Sequence, residues 1–201
     1  MTGALKNLRT LIPVALVLLA GFQIAAALHW FGMGSSVNDT PVPIGGPFSL
    51  TAPDGRTVTD RDFRGKWMLV YFGYTQCPDT CPTALNDVAN ALDLLGPKAA
   101  DVAPLFITID PAHDTPAIMG AYAAKFDHRI IALTGTKAQI AQVKQAYRVY
   151  AAPDTHATPG HMVMDHSSVF IVMNPRGQFA DALNGNVSAD AIAARLRTLD
   201  N

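Results

Sequence analysis

After about residue 46, short apolar runs alternate with amphipathic segments. The apolar runs are typical of buried strands and occupy residues 67–71, 103–109, 130–133 and 169–173. Helical periodicity follows in residues 83–95, 116–126, 137–147 and 188–199, with Thr134 and Thr136 as candidate N-caps of the third helix. A β-hairpin is predicted around residues 48–58, and a second hairpin joins residues 169–173 to a strand near Phe179. Strands that alternate with helices and end in a hairpin predict an α/β three-layer sandwich.

The N-terminal segment has a different pattern. Residues 10–38 contain no Lys, Arg, Asp or Glu, and Lys6 and Arg9 come just before them. A run of this length predicts a transmembrane anchor at residues 10–31, with residues 1–9 in the cytoplasm. Residues 32–45 are then a tether rich in small and turn-forming residues, and residues 46–201 form the globular domain. The small residues 25–27 leave a cleaved signal peptide as the alternative.

Either interpretation puts the domain outside the cytoplasm, and we expect a single-pass protein of a bacterial inner membrane with its C-terminal domain in the periplasm. The net charge is −1, from 15 basic and 16 acidic residues, so the sequence does not indicate a nucleic-acid partner. In an oxidising compartment, two cysteines can form a disulfide unless a reductant keeps them reduced.

The chain has two cysteines, Cys77 and Cys81, at the point where an apolar strand turns into a helix. Amide N–H groups at a helix start favour thiolate over thiol. Because prolines flank the pair, we expect the turn to face solvent. Three interpretations remain open at this point: an inert buried pair, a dithiol–disulfide redox centre and a metal site.

Residues 150–165 break the alternation and predict a long irregular loop, of the kind that is often functional. The loop leads into Asp165 and His166, just before the strand at residues 169–173. In an α/β sheet, ligands bind to the loops at the strand ends where the helices start, and the cysteine loop is one of these. His166 is therefore a candidate third member of the cysteine site. The alternative is a histidine that is hydrogen-bonded within its own loop.

Five separated parts of the chain carry distinctive motifs: Phe63-Arg64-Gly65-Lys66, Tyr71-Phe72-Gly73-Tyr74-Thr75-Gln76-Cys77-Pro78-Asp79-Thr80-Cys81-Pro82, Phe106-Ile107-Thr108-Ile109-Asp110-Pro111 with Asp114-Thr115-Pro116, Leu133-Thr134-Gly135 and Asp165-His166-Ser167. Together these motifs resemble the Sco/SenC family, thioredoxin-fold copper-binding factors for cytochrome c oxidase assembly. The resemblance covers nearly all of the chain after the tether, and it departs from the family pattern at Ala112-His113, where Glu-Arg is usual.

The resemblance implies a thioredoxin-like fold and one copper ion, Cu(I) or Cu(II), bound by Cys77, Cys81 and His166. It also implies a metallochaperone that supplies the binuclear copper centre of cytochrome c oxidase subunit II. Such a protein needs a copper donor and a thiol reductant as further partners. Soft thiolates suit Cu(I), and imidazole suits either oxidation state. Asp79 and Asp165 are candidates for orienting the ligands.

Methionines next to the histidine motif suggest a second, transient copper-capture site at His161, Met162 and Met164. The alternative is that these are ordinary loop residues. The other histidines, His29, His113, His128 and His156, have no ligand spacing and are expected to be surface residues.

Two other functions remain as alternatives. One is a membrane-anchored thiol–disulfide oxidoreductase, peroxidase or redox sensor that uses Cys77 and Cys81. The main interpretation is not an enzyme, and thiol–disulfide reduction is the enzymatic activity that stays open beside it. Against it, three residues separate the cysteines instead of two, and His166 lies where a thioredoxin has a proline. The other is a zinc site, which is disfavoured because no general base is clearly placed for hydrolysis.

Overall fold

The computed structural model describes residues 43–153 and 164–199, together with Gln23. Its first element is the predicted hairpin, in which β1 (Ser49–Thr51) pairs antiparallel with β2 (Thr57–Thr59). The turn contains Gly55 at φ +83°, a conformation that glycine adopts without strain. Leu50 and Val58 face each other across the hairpin and are both buried, so the hairpin adds to the core.

A five-stranded sheet forms the centre of the domain. Its strands are β3 (Trp67–Gly73), β4 (Val102–Thr108), β5 (Ile131–Leu133), β8 (Val169–Met173) and β9 (Phe179–Asn184). Their spatial order is β5-β4-β3-β8-β9. The first three strands run parallel, whereas β8 is antiparallel to β3 and β9 is antiparallel to β8. Strand β3 is therefore central, and apart from half-buried Trp67 it is buried throughout.

The described part of the domain also has four α-helices: α1 (Thr80–Leu95), α2 (Pro116–Ala123), α3 (Lys137–Ala146) and α4 (Ala189–Leu199). Two 3-10 helices, Asp60–Phe63 and Gly96–Asp101, connect other elements. Helix α4 packs on α1. Successive residues of a strand point to opposite faces, and Tyr71 hydrogen-bonds Cys81 of α1 while Phe72 contacts Tyr147 at the end of α3. The predicted three-layer α/β arrangement is confirmed.

Two predicted helix boundaries were wrong by three residues. Helix α1 begins at Thr80 instead of residue 83, because Pro82 lies in the first turn, where a missing N–H breaks no helical hydrogen bond. Helix α2 ends at Ala123 instead of residue 126, because the N–H groups of Lys125 and Phe126 donate to carbonyls only three residues back. Of the two candidate caps of α3, Thr136 accepts from the N–H of Gln139, whereas Thr134 bridges to Thr51.

The segment predicted to be wholly irregular at residues 150–165 has ordered ends. Strand β6 (Ala151–Pro153) pairs antiparallel with β7 (Met164–His166), so His166 lies in a strand. Residues 154–163 lie outside the described residues. The predicted anchor at residues 10–31 also lies outside them, except for Gln23, and no helix in the described part of the chain is long and apolar enough to span a membrane.

Candidate metal centre

The cysteine loop, residues 74–79, joins the central strand β3 to α1. The Cys81 N–H donates to the sulfur of Cys77 at 3.3 Å, and the Cys77 sulfur lies 3.2 Å from the hydroxyl of Thr80. Asp79 is the N-cap residue by position, but its side chain accepts no capping hydrogen bond. The sulfur of Cys77 thus takes the role of an N-cap acceptor, at the end of the helix that favours negative charge.

Both cysteines are thiols, and both are buried: Cys77 is 7% exposed and Cys81 is fully covered. The prediction that this turn faces solvent is correct for Gln76, Pro78 and Asp79 but wrong for the thiols. Gly73 explains part of the burial, because a Cβ there would lie 2.6 Å from the Cys81 sulfur. The close approach of the sulfur to the strand backbone needs glycine at this position.

The surroundings of Cys81 disfavour its ionisation. The pKa of Cys81 is raised, first by its hydrogen bond with Cys77, then by burial and by the negative charge that Cys77 carries when ionised. The backbone N–H of Tyr74 and the hydroxyl of Tyr71 act in the opposite direction, because they hydrogen-bond the Cys81 sulfur. Ionising both sulfurs together is therefore unfavourable unless a cation compensates for the second negative charge.

A buried carboxylate holds the start of the cysteine loop. Asp114, which is 1% exposed, accepts from the backbone N–H of Thr75 at 3.2 Å and from its hydroxyl at 2.5 Å. It also accepts from the hydroxyl of Thr108 on β4 at 2.6 Å. In the sequence, Asp114 appears only as part of a family motif, and its role at the cysteine loop was not predicted. Its burial was not predictable, since residues 110–116 form a polar, proline-containing segment typical of a turn.

Two tyrosines connect the cysteines to the strand that carries His166. The hydroxyl of Tyr74 accepts from the Met164 N–H at 3.1 Å, and the hydroxyl of Tyr71 lies 3.2 Å from that of Ser168. Met164 and Ser168 stand two residues before and two residues after His166. Both tyrosines also hydrogen-bond the Cys81 sulfur, as described above. The residues two positions before and after His166, through a backbone N–H and a side-chain hydroxyl, respectively, are thus hydrogen-bonded to tyrosines that contact Cys81.

The structure describes the backbone of Asp165 and His166, which pair with Ala152 and Ala151, respectively. Their side chains are not among the described parts, so ligation of a metal by His166 stays a prediction. Within the described residues, no group of three His, Cys, Asp or Glu side chains is arranged to hold a metal ion. The described part of the site is the pair of adjacent thiols.

The other residues that the sequence marked as candidates lie in different surroundings. Asp79 is exposed, and Met164 packs against the core. His113 is a half-exposed surface residue whose Nδ1 lies 2.7 Å from a carboxylate oxygen of Asp110, and His128 is 93% exposed. His29, His156, His161 and Met162 lie outside the described residues.

The family model described as SCO1/SenC matches residues 37–200 of this chain. The chain belongs to the SCO1/SenC family. Its domain has the α/β thioredoxin-like fold of Sco proteins, as the copper-bound structure of ScoI from Bradyrhizobium japonicum illustrates. That structure matches at 41% identity and a TM-score of 0.71, over 77% of this chain and 98% of the other.

Two further relatives agree with this assignment. The copper-bound structure of yeast Sco1 matches with a TM-score of 0.71 and 36% identity, over 79% of this chain and 90% of the other. The human mitochondrial SCO1 homologue is 38% identical over 157 residues, which are 77% of this chain and 52% of the human protein. The chain therefore spans about half the length of the curated relatives that it matches.

Proposed function

We propose that this SCO1/SenC protein is a copper metallochaperone for cytochrome c oxidase, which binds one copper ion through Cys77, Cys81 and His166. The main support for this proposal is the set of hydrogen bonds that link the cysteine pair to the strand containing His166. Tyr71 and Tyr74 contact the Cys81 sulfur and also hydrogen-bond the backbone or side chain two residues from His166 on either side. Relatives of 41% and 36% identity have been solved with copper bound, which supports the choice of metal.

The donor set fits copper as a cargo. Two sulfurs, one at the first turn of α1 and one just before it, supply soft ligands, and an imidazole adds a ligand that suits both Cu(I) and Cu(II). A monovalent or divalent cation would offset the charge that otherwise disfavours ionising Cys81 beside Cys77. Burial of both sulfurs keeps water away from the ion.

Release to a partner needs ligand exchange. Three protein ligands leave a coordination position on copper, and a ligand of the acceptor protein occupies it before the donor lets go. We assign the acceptor as subunit II of the oxidase, whose binuclear copper centre is the destination that the family resemblance implies. A copper donor and a thiol reductant complete the cycle, because only the dithiol form has both sulfurs available.

The domain arrangement is part of the same proposal. Residues 10–31 anchor the protein in a bacterial inner membrane, residues 32–45 are a tether, and residues 46–201 form the copper-binding domain in the periplasm. The uncharged run between Arg9 and Asp39 supports this topology. A reporter enzyme that is active only in the periplasm, fused after residue 201, should be active and membrane-bound; an active but freely soluble fusion would indicate cleavage instead of anchoring.

Titration of the reduced domain with Cu(I) and Cu(II) tests the ligand set. Wild type should bind one equivalent, and His166→Ala should weaken Cu(II) binding most because the imidazole is the borderline ligand. His128→Ala is the matched control, since that ring is 93% exposed and should have no effect. Equal copper affinity in His166→Ala and wild type would remove His166 from the site.

The second candidate is a thiol–disulfide oxidoreductase, favoured by two adjacent thiols at a helix start. The same His166→Ala variant separates the two functions. If the protein is a copper chaperone, His166→Ala should lose copper affinity while its two thiols stay reactive. If it is a reductase, His166→Ala should keep its dithiol activity and show no change in copper affinity.

A further inference from the structure

Tyr74 contacts three parts of the candidate metal centre. Its carbonyl accepts from the Cys77 N–H at 3.2 Å, and its N–H hydrogen-bonds the Cys81 sulfur. Its hydroxyl accepts from the Met164 N–H at 3.1 Å, 90 residues further along the chain. One residue thus contacts both cysteines through its backbone and β7 through its side chain.

The side chain is well placed to fix a position. Tyr74 is 1% exposed and lies directly after β3, so its ring is held by the core and its hydroxyl is directed towards β7. Within the described residues, β7 pairs with one strand, the three-residue β6. Because such a short two-stranded ribbon has little stability of its own, a bond from the core has a large share in deciding where β7 lies.

We propose that Tyr74 is a positioning residue for copper binding: its hydroxyl fixes β7, and therefore His166, at the distance from Cys77 and Cys81 that a shared copper ion requires. This inference rests on the proposed ligand set. It assigns to the hydroxyl a role that a phenylalanine at this position would lack, although the ring would pack in the same way.

Tyr74→Phe removes this one hydrogen bond and leaves both backbone contacts to the cysteines in place. A double-mutant cycle with His166→Ala then measures whether Tyr74 acts through His166. The loss of one hydrogen bond predicts about a threefold to tenfold weaker Cu(II) affinity for Tyr74→Phe. In the His166→Ala background the same substitution should change the affinity less than about twofold. Tyr150→Phe, at a tyrosine that is 59% exposed, is the control and should match wild type.

Amide hydrogen exchange in the metal-free protein complements the double-mutant cycle. In the metal-free protein, the Met164 amide should exchange its hydrogen faster in Tyr74→Phe than in wild type, because its acceptor has been removed. The amide of Ile171 in β8 should be unchanged, since it belongs to the main sheet.

The outcomes are distinguishable. If Tyr74→Phe weakens copper binding equally in both backgrounds, the residue is merely structural and the inference is overturned. If His166→Ala weakens binding but Tyr74→Phe neither weakens it nor changes Met164 exchange, the inference alone is wrong. If His166→Ala itself binds copper like wild type, the proposed ligand set fails, and the positioning role of Tyr74 fails with it.

Discussion

Replacing Asp114 with asparagine tests whether a buried carboxylate holds the cysteine loop. Three donors converge on the two oxygens of Asp114: the N–H and hydroxyl of Thr75 and the hydroxyl of Thr108. Asparagine has nearly the same shape but only one acceptor oxygen, so one or two of these bonds lose their acceptor. Hydrogen bonds to a charged group are worth about 1.5–3 kcal/mol each. We expect Asp114→Asn to lower the free energy of unfolding by about 2–4 kcal/mol.

Urea denaturation of the reduced domain, followed by circular dichroism, measures this loss of free energy. In a thermal melt, the unfolding temperature should fall by about 5–15 °C, at roughly 2–4 °C per kcal/mol for a domain of this size. Asp54→Asn is the matched control: that carboxylate is 56% exposed and pairs with exposed Arg56, so its variant should unfold like wild type. Native-state alkylation of Cys77 should also become faster in Asp114→Asn, because Thr75 lies two residues before it.

An unchanged unfolding midpoint in Asp114→Asn would refute this reasoning. So would a loss of stability with no change in the alkylation rate of Cys77, because Asp114 would then stabilise the domain without holding the loop.

Two further predictions concern packing and pH. Gly73→Ala should destabilise the domain by about 1–3 kcal/mol and weaken copper binding, because the new Cβ would lie 2.6 Å from the Cys81 sulfur and 2.8 Å from Phe106. Gly46→Ala is the control, since its new Cβ would have its nearest contact at 3.5 Å. Equal thermal unfolding of the two variants would contradict the prediction. Arg129 lowers the pKa of Asp127 below its ordinary 3.8 by hydrogen bonding, so the stability that Asp127 contributes is present above about pH 4 and is lost as the pH falls through the lowered pKa. Urea midpoints of wild type and Asp127→Asn should therefore differ at pH 6 and converge at the most acidic pH at which both fold, and a gap that persists there would contradict the assignment.

Strands β3, β4, β5 and β8 of the main sheet were predictable, because they are mostly buried and appear as apolar runs. The edge strand β9 is partly exposed and has no such run, so only the turn before it indicated its position. Strands β6 and β7 were not, because Met164–His166 contains two polar residues and gains its pairing only from Ala151–Pro153. The early start of α1 was missed for a local reason. Pro82 suggests a helix boundary in sequence, whereas in the structure it is a first-turn residue.

The cysteine pair was the most visible part of the site, since Cys77 and Cys81 are the chain's two cysteines and stand at a strand–helix junction. Their burial was not visible, because it depends on the approach of α1 to Gly73. The tyrosine links were hidden as well. The bond from Met164 to Tyr74 uses a backbone N–H, which every residue except proline has, so no sequence pattern marks it.

The central claim is that two sulfurs and one imidazole share a single copper ion. X-ray absorption at the copper K edge, on the reduced domain loaded with one equivalent of Cu(I), measures this coordination directly. We predict two sulfur scatterers and one imidazole nitrogen in wild type, and loss of the imidazole signal in His166→Ala with both sulfurs retained. A wild-type spectrum with sulfur ligands alone, or one that His166→Ala leaves unchanged, would contradict the account.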